Sequence, residues 1–163
     1  MSDSTKRSRD MVITRQFAAP RELVFQAWTD PKQLLHWWAP RAFTTPYCTV
    51  DLRPGGAFRY CHRAPDGQEF WARGVYLEIV PPERLSYRDT FTDADGNDVP
   101  PSHYGMDPAS PEASLVTVTF TEQDGGTLLT LTMSVPQALA EETGAHQGWS
   151  EMLDRLAELL AAR

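Results

Sequence analysis

Gly148 to Leu160 reads GWSEMLDRLAELL. Trp149, Met152, Leu153, Leu156, Leu159 and Leu160 recur at spacings of three and four, with Glu151, Asp154, Arg155 and Glu158 opposite. That is a helix with one apolar stripe. A lone helix cannot bury such a stripe, so another layer of the chain must cover it. Gly144 and Gly148 interrupt the pattern, which places the main helix start near Gly148-Trp149 and a separate helical turn near 138–142.

The covering layer is a sheet. Met11–Phe17, Thr44–Arg53, Ala57–Arg63, Glu69–Val80, Arg84–Thr92, Ser114–Glu122 and Thr127–Ser134 are rich in β-formers and bounded by Pro and Gly. Pro54-Gly55-Gly56, Pro65-Asp66-Gly67, Pro81-Pro82 and Asp124-Gly125-Gly126 punctuate them. Connections this short demand antiparallel pairing, because a parallel crossover needs a dozen or more residues. Two short helices follow the first strand. One begins after Pro20, and Asp30-Pro31 is the N-cap and first-turn signal of the other. Residues 93–113 carry four prolines and no period; a mobile flap and an insertion without a role are both open.

The predicted architecture is α+β: a curved antiparallel sheet wrapped around a long C-terminal helix and enclosing an apolar cavity. With 163 residues the chain suits one domain, 11–163, behind a disordered tail, 1–10. The net charge of −7 argues against nucleic acid as a partner. No stretch resembles a signal peptide or reaches membrane-spanning length, so no membrane insertion and a cytoplasmic location are expected.

Strand alternation sorts candidate site residues. Phe58, Tyr60 and His62 share one face; Trp71, Arg73, Val75, Leu77 and Ile79 another; Leu85, Tyr87, Asp89 and Phe91 a third. The last two strands contribute Val116, Val118, Phe120, Leu129, Leu131 and Met133. The expected ligand-binding set is Trp38, Tyr60, His62, Trp71, Arg73, Tyr87, Asp89, Phe120, Met133, Trp149, Met152 and Leu153. Apolar walls with a few convergent polar groups are the usual make-up of a ligand site. The same aromatics could equally fill the space between sheet and helix. Arg73 and Asp89 would form an internal ion pair, or Arg73 would anchor a ligand carboxylate. Of Trp37 and Trp38, one ring packs and the other lies exposed at the mouth, or both pack. Cys48 and Cys61 would face each other across a two-residue hairpin turn at Pro54-Gly55, yet two free thiols are the default in a reducing compartment.

His36, His62, His103 and His146 have no metal-ligand spacing, no serine sits in a nucleophile elbow, and no Gly-rich loop joins a strand to a helix. No metal, cofactor or catalytic residue is assigned.

Several segments resemble one known family. They are Phe17 with Ala19-Pro20, Val24-Phe25, Trp28-Thr29-Asp30-Pro31, Leu34, Trp37-Trp38, Pro40, Asp51-Leu52-Arg53-Pro54-Gly55-Gly56, Gly74, Glu78 to Leu85, Val118-Thr119-Phe120, Gly126-Thr127 and Gly148-Trp149. Together they resemble the START-like, or SRPBCC, superfamily, in the stand-alone bacterial form of the activator of the heat-shock-90 chaperone ATPase. The resemblance covers nearly all of Val12 to Leu160 and departs from the pattern at the long 93–113 segment. It implies the helix-grip fold, a small hydrophobic ligand and a link to stress response. A cyclase- or hydrolase-type enzyme using the same cavity is the alternative. Chaperone interaction is the minor expectation, because the separate N-terminal domain of the eukaryotic activator is not seen. A homodimer is left open.

Overall fold

In the computed structural model, residues 9–107 and 109–162 are described. Seven strands form one antiparallel sheet: β1 Asp10–Phe17, β2 Thr44–Val50, β3 Ala57–Arg63, β4 Glu69–Val80, β5 Arg84–Thr92, β6 Ala113–Gln123 and β7 Gly126–Pro136. Their order is β1-β7-β6-β5-β4-β3-β2, so β1 and β2 are the edges. Helices α1 Arg21–Thr29 and α2 Pro31–Trp37 follow β1. Helices α3 Gln137–Thr143 and α4 Ala145–Ala161 end the chain, with α4 gripped by the inner face. This is the helix-grip fold. Of the predicted tail, 1–10, residues 1–8 lie outside the described residues, and Asp10 already belongs to β1.

The start of α4 differs from the expectation. The helix begins at Ala145, just after Gly144 (φ 87°), and Gly148 lies inside it. Gly144 adopts the left-handed conformation that separates α3 from α4 at little cost. At Gly148 a helical φ suits any residue, so the glycine does not stop the helix. The stripe is as expected, with Trp149, Met152, Leu153 and Leu156 buried.

Side-chain clamps fix α4 to its surroundings. Arg155 donates to the carbonyls of Ala39 (2.8 Å), Pro40 (3.4 Å), Phe43 (3.2 Å) and His36 (3.0 Å), collecting the C-terminal end of α2 and the loop beyond it. Arg15 on β1 reaches Asp154 at 2.6 Å. Arg41 pairs with Glu158, and its backbone N–H donates to Glu151 at 3.0 Å.

The α1–α2 corner builds one wall of the interior. Asp30 caps α2 by accepting from the Lys32 N–H at 3.0 Å, with Pro31 in the first turn. Trp37 donates its indole N–H to the Ala27 carbonyl at 3.0 Å. Both Trp37 and Trp38 are buried, at 0% and 2% exposure, so neither ring lies exposed at a mouth.

Residues 93–113 are not one featureless loop. A tight turn over 93–97 is tied by Asp93 and closed by a bridge between Thr92 and Asp98. Pro101–Tyr104 forms a 3-10 helix ended by Gly105 (φ 77°).

Candidate functional site

The cross-strand register decides which side chains face α4. Val50, Phe58, Gly74, Asp89 and Ser114 form one row across β2 to β6. Tyr76, Tyr87, Val116 and Met133 form a neighbouring row. Cys48, Tyr60, Ala72 and Phe91 form another on the far side of the first. The buried members Phe58, Tyr60, Ala72, Tyr76, Tyr87 and Val116 identify this as the inner face.

Trp71 and Arg73 do not belong to it, contrary to the expectation. The inward residues of β4 before its irregularity are Ala72, Gly74 and Tyr76. Tyr76 pairs with Tyr87 but Glu78 pairs with Ser86, so one extra residue is inserted at Leu77. A bulge reverses the alternation beyond it. Ile79 therefore faces inward as expected, whereas Trp71, Arg73 and Val75 face outward. Leu77 is 47% exposed. Outside, Arg73 pairs with Asp98 and donates to the Gly96 carbonyl at 3.2 Å. The expected Arg73–Asp89 ion pair does not form.

The cysteine register is also one residue from the expectation. Tyr47, not Cys48, opposes Cys61, and Cys48 opposes Tyr60. Adjacent pairing positions alternate in face, so the two thiols lie on opposite sides of the sheet and both are free. Burial pushes Cys48 up to about 12 and Cys61 up to about 11, so neither is a ready thiolate.

The other expected residues do converge between sheet and helices. Trp38 lies edge-on to Tyr60 at 5.7 Å and to Trp149 at 5.4 Å. Phe58 stacks on Tyr60 at 5.6 Å and meets Tyr87 edge-on at 4.9 Å. Phe120, Met152 and Leu153 are buried in the same cluster, and Met133 packs against it half-buried. Gly74 makes room for the Phe58 ring: a Cβ there would lie 2.2 Å from Phe58 Cε1. Much of the interior is thus filled by interleaved rings. The two described clefts lie outside it. One of about 500 Å³ is lined by His36, Arg41, Arg155, Glu158 and Leu159, and one of about 330 Å³ by Pro20, Arg21, Glu122, Gln123, Gly125 and Gly126. Neither contains an expected site residue.

Within this apolar surround sits a small polar group. Tyr60 donates its hydroxyl to both oxygens of Asp89, at 3.1 and 3.0 Å. The Tyr87 hydroxyl, His62 Nε2 and Trp38 Nε1 are buried without a hydrogen-bond partner. Buried polar atoms are nearly always paired, so a cluster of orphans calls for an explanation. Burial pushes Asp89 up to about 7, against the pull of the Tyr60 hydrogen bond. It pushes His62 down to about 4, despite a backbone hydrogen bond at Trp38. Tyr60 and Tyr87 are raised well above the ordinary phenol range, by burial first and by the Asp89 charge second. The His62 bond to the Trp38 carbonyl uses one ring N–H.

Four inward residues near this group, His62, Asp89, Phe91 and Met133, stay partly exposed. Tyr104, which sequence reasoning did not single out, covers this end of the sheet. Its ring packs on Phe70 at 5.2 Å and on Phe91 at 5.8 Å. Its hydroxyl accepts from the Trp71 N–H at 3.2 Å and donates to the Thr92 carbonyl. A lone Tyr in a proline-rich segment without period carries no local signal of such a role. Phe91 was legible as an inward residue by alternation alone.

Among the described residues, no three His, Cys, Asp or Glu side chains are grouped to hold a metal. No described helix is long and apolar enough to cross a membrane.

The family model described as "Activator of Hsp90 ATPase homolog 1-like protein" matches residues 18–161. The chain belongs to this family. Solved structures of bacterial proteins resemble this chain over nearly their full length. CV1439 from Chromobacterium violaceum is 30% identical with a TM-score of 0.76, covering 93% of this chain and 96% of that one. Ms6760 from Mycobacterium smegmatis is 29% identical with a TM-score of 0.79, covering 96% and 93%. NE0264 from Nitrosomonas europaea is 27% identical with a TM-score of 0.78, covering 95% and 96%. No curated protein matches this chain.

Proposed function

We propose that this chain binds a small hydrophobic or aromatic molecule on the inner face of its sheet. The observation that carries the reading is the set of buried, unpartnered polar atoms around the Asp89–Tyr60 pair. An unpaired buried hydroxyl or ring nitrogen costs about 1–3 kcal/mol. A ligand that pairs with them recovers that cost. The aromatic walls supply apolar burial, and the polar group supplies orientation. The partly exposed His62, Asp89, Phe91 and Met133 mark the approach, beside the Tyr104 segment.

A thermal-shift screen with lipids and aromatic compounds tests this. A binder is expected to raise the melting temperature, with the rise growing with ligand concentration. Tyr87→Phe should fold as stably as the wild type or more so, because it removes an orphan hydroxyl. It should weaken a hydroxyl-contacting binder about five- to tenfold. If no compound shifts the transition, and crystals soaked with the same compounds show an unaltered interior, the reading fails.

A second reading is an acid–base enzyme using the same group. Asp89 is held near the pH at which a carboxyl can both give and take a proton. Unchanged turnover of a discovered substrate by Asp89→Asn would remove it. Chaperone contact is the lesser reading, because the features above converge on the interior of the grip rather than on an outer surface.

A further inference from the structure

The element missing from the polar group is a positive charge. Among the described residues no ion pair includes Asp89. Its cross-strand neighbours are Gly74 and Ser114. The groups that face it are Tyr60 from β3 and Tyr87 from its own strand, with His62 beside the Tyr60 ring and Cys48 beyond it on β2. Trp38 and Trp149 close over that side from the helices. None of these is a cation at neutral pH. Arg155 acts on His62 but is held by the carbonyls of His36, Ala39, Pro40 and Phe43, and the arginines on β4 and β5 point away from Asp89. Arg73 is engaged outside by Asp98, and Arg88 is exposed on the opposite face of β5.

The carboxylate of Asp89 is short of donors, while the Tyr87 hydroxyl and the Trp38 indole N–H lack acceptors. Asp89 offers two carboxylate oxygens and receives only the Tyr60 hydroxyl. A ligand ammonium would supply the Asp89 carboxylate with both donors and positive charge. A ligand carboxylate would add a second buried negative charge beside the first. The surround also favours a cation, because the faces of Trp38, Phe58, Tyr60 and Tyr87 carry negative potential.

We propose that the ligand is a protonated amine on an aromatic or apolar body, with its ammonium group paired to Asp89 inside the aromatic surround. This deepens the small-molecule reading and rests on it. Burial that disfavours the lone carboxylate agrees with the assignment, since the amine supplies the missing countercharge.

The test uses three probes of one shape: 2-phenylethylamine, 2-phenylethanol and 3-phenylpropionate. Their affinities are measured by calorimetry at pH 8 on the wild-type chain and on Asp89→Asn. The amine should bind about tenfold or more tighter than the alcohol, and the carboxylate should bind weakest. In Asp89→Asn the amine's advantage should vanish while alcohol binding persists, which also reports that the variant's site is intact. Equal wild-type affinity for amine and alcohol overturns the amine assignment and leaves the small-molecule reading standing. So does an amine preference that survives in Asp89→Asn. If the variant loses alcohol binding too, Tyr60→Phe, which leaves Asp89 in place without its donor, must keep the amine preference; loss of preference there overturns the assignment. Binding of none of the probes up to millimolar concentration overturns both.

Discussion

At the residue scale, Asp89 and His62 are two partly buried groups displaced in opposite directions. Asp89 is raised from 3.8 to about 7, so its stability contribution is full below about 4 and is lost as pH rises through about 7. His62 is lowered from 6.5 to about 4, so its contribution is full above about 6.5 and is lost as pH falls through about 4. Between about pH 4 and 6.5 the two slopes oppose each other. Denaturant titrations at several pH values should expose each slope when the other is removed. Asp89→Asn should become less stable as pH falls across this window, and His62→Gln more stable, each by a few kcal/mol at most. Parallel curves for both variants and the wild type would refute the burial of these groups. The identity of such residues was legible from alternation on β3 and β5. Their charge environment was not, because it depended on where Arg73 points.

At the element scale, Pro and Gly punctuation made β3, β4 and β5 legible to the residue, because each break enforces a backbone change that the composition announces. The face of β4 was not legible. The bulge at Leu77 occurs in an unbroken run of β-formers, where no Gly or Pro marks it, yet it turns Trp71 and Arg73 outward. The β2–β3 register slipped for a related reason: the turn is not centred on Pro54-Gly55, since Gly55 and Gly56 are held by Tyr76 and Arg53 backbone groups. The attachment of α4 was hidden as well. Arg155 was read as the polar side of the helix, but it serves carbonyls of four residues. Its planar fork makes that geometry accessible, and a point-charge ammonium cannot reproduce it. Arg155→Ala should cost about 2–4 kcal/mol in chemical denaturation, with little rescue by Lys. A loss below about 0.5 kcal/mol would show that the clamp contributes nothing beyond a surface contact.

At the scale of the whole molecule, sheet and helix meet through a packed aromatic interior in which several buried polar atoms, among them Trp28 Nε1, lack partners among the described residues. Most natural cores pair every buried donor and acceptor. Here the Tyr87 hydroxyl lies unpaired near a carboxyl that has one donor and no cation, and Trp38 Nε1 and His62 Nε2 lie unpaired on the side of the Tyr60 ring. The helix grip positions these groups by register from three sources: β3, β5 and the end of α2. The Tyr104 segment closes over the same end of the sheet. A fold that needed only stability would place apolar atoms there. The central claim is therefore that the Asp89 carboxyl awaits a partner. Carbon-13 NMR of the Asp89 carboxyl, titrated against pH with and without 2-phenylethylamine, tests it most directly. The account predicts a midpoint near 7 in the free protein, falling below 4 when the amine is bound. A midpoint near 4 in the free protein, unmoved by the amine, would contradict it.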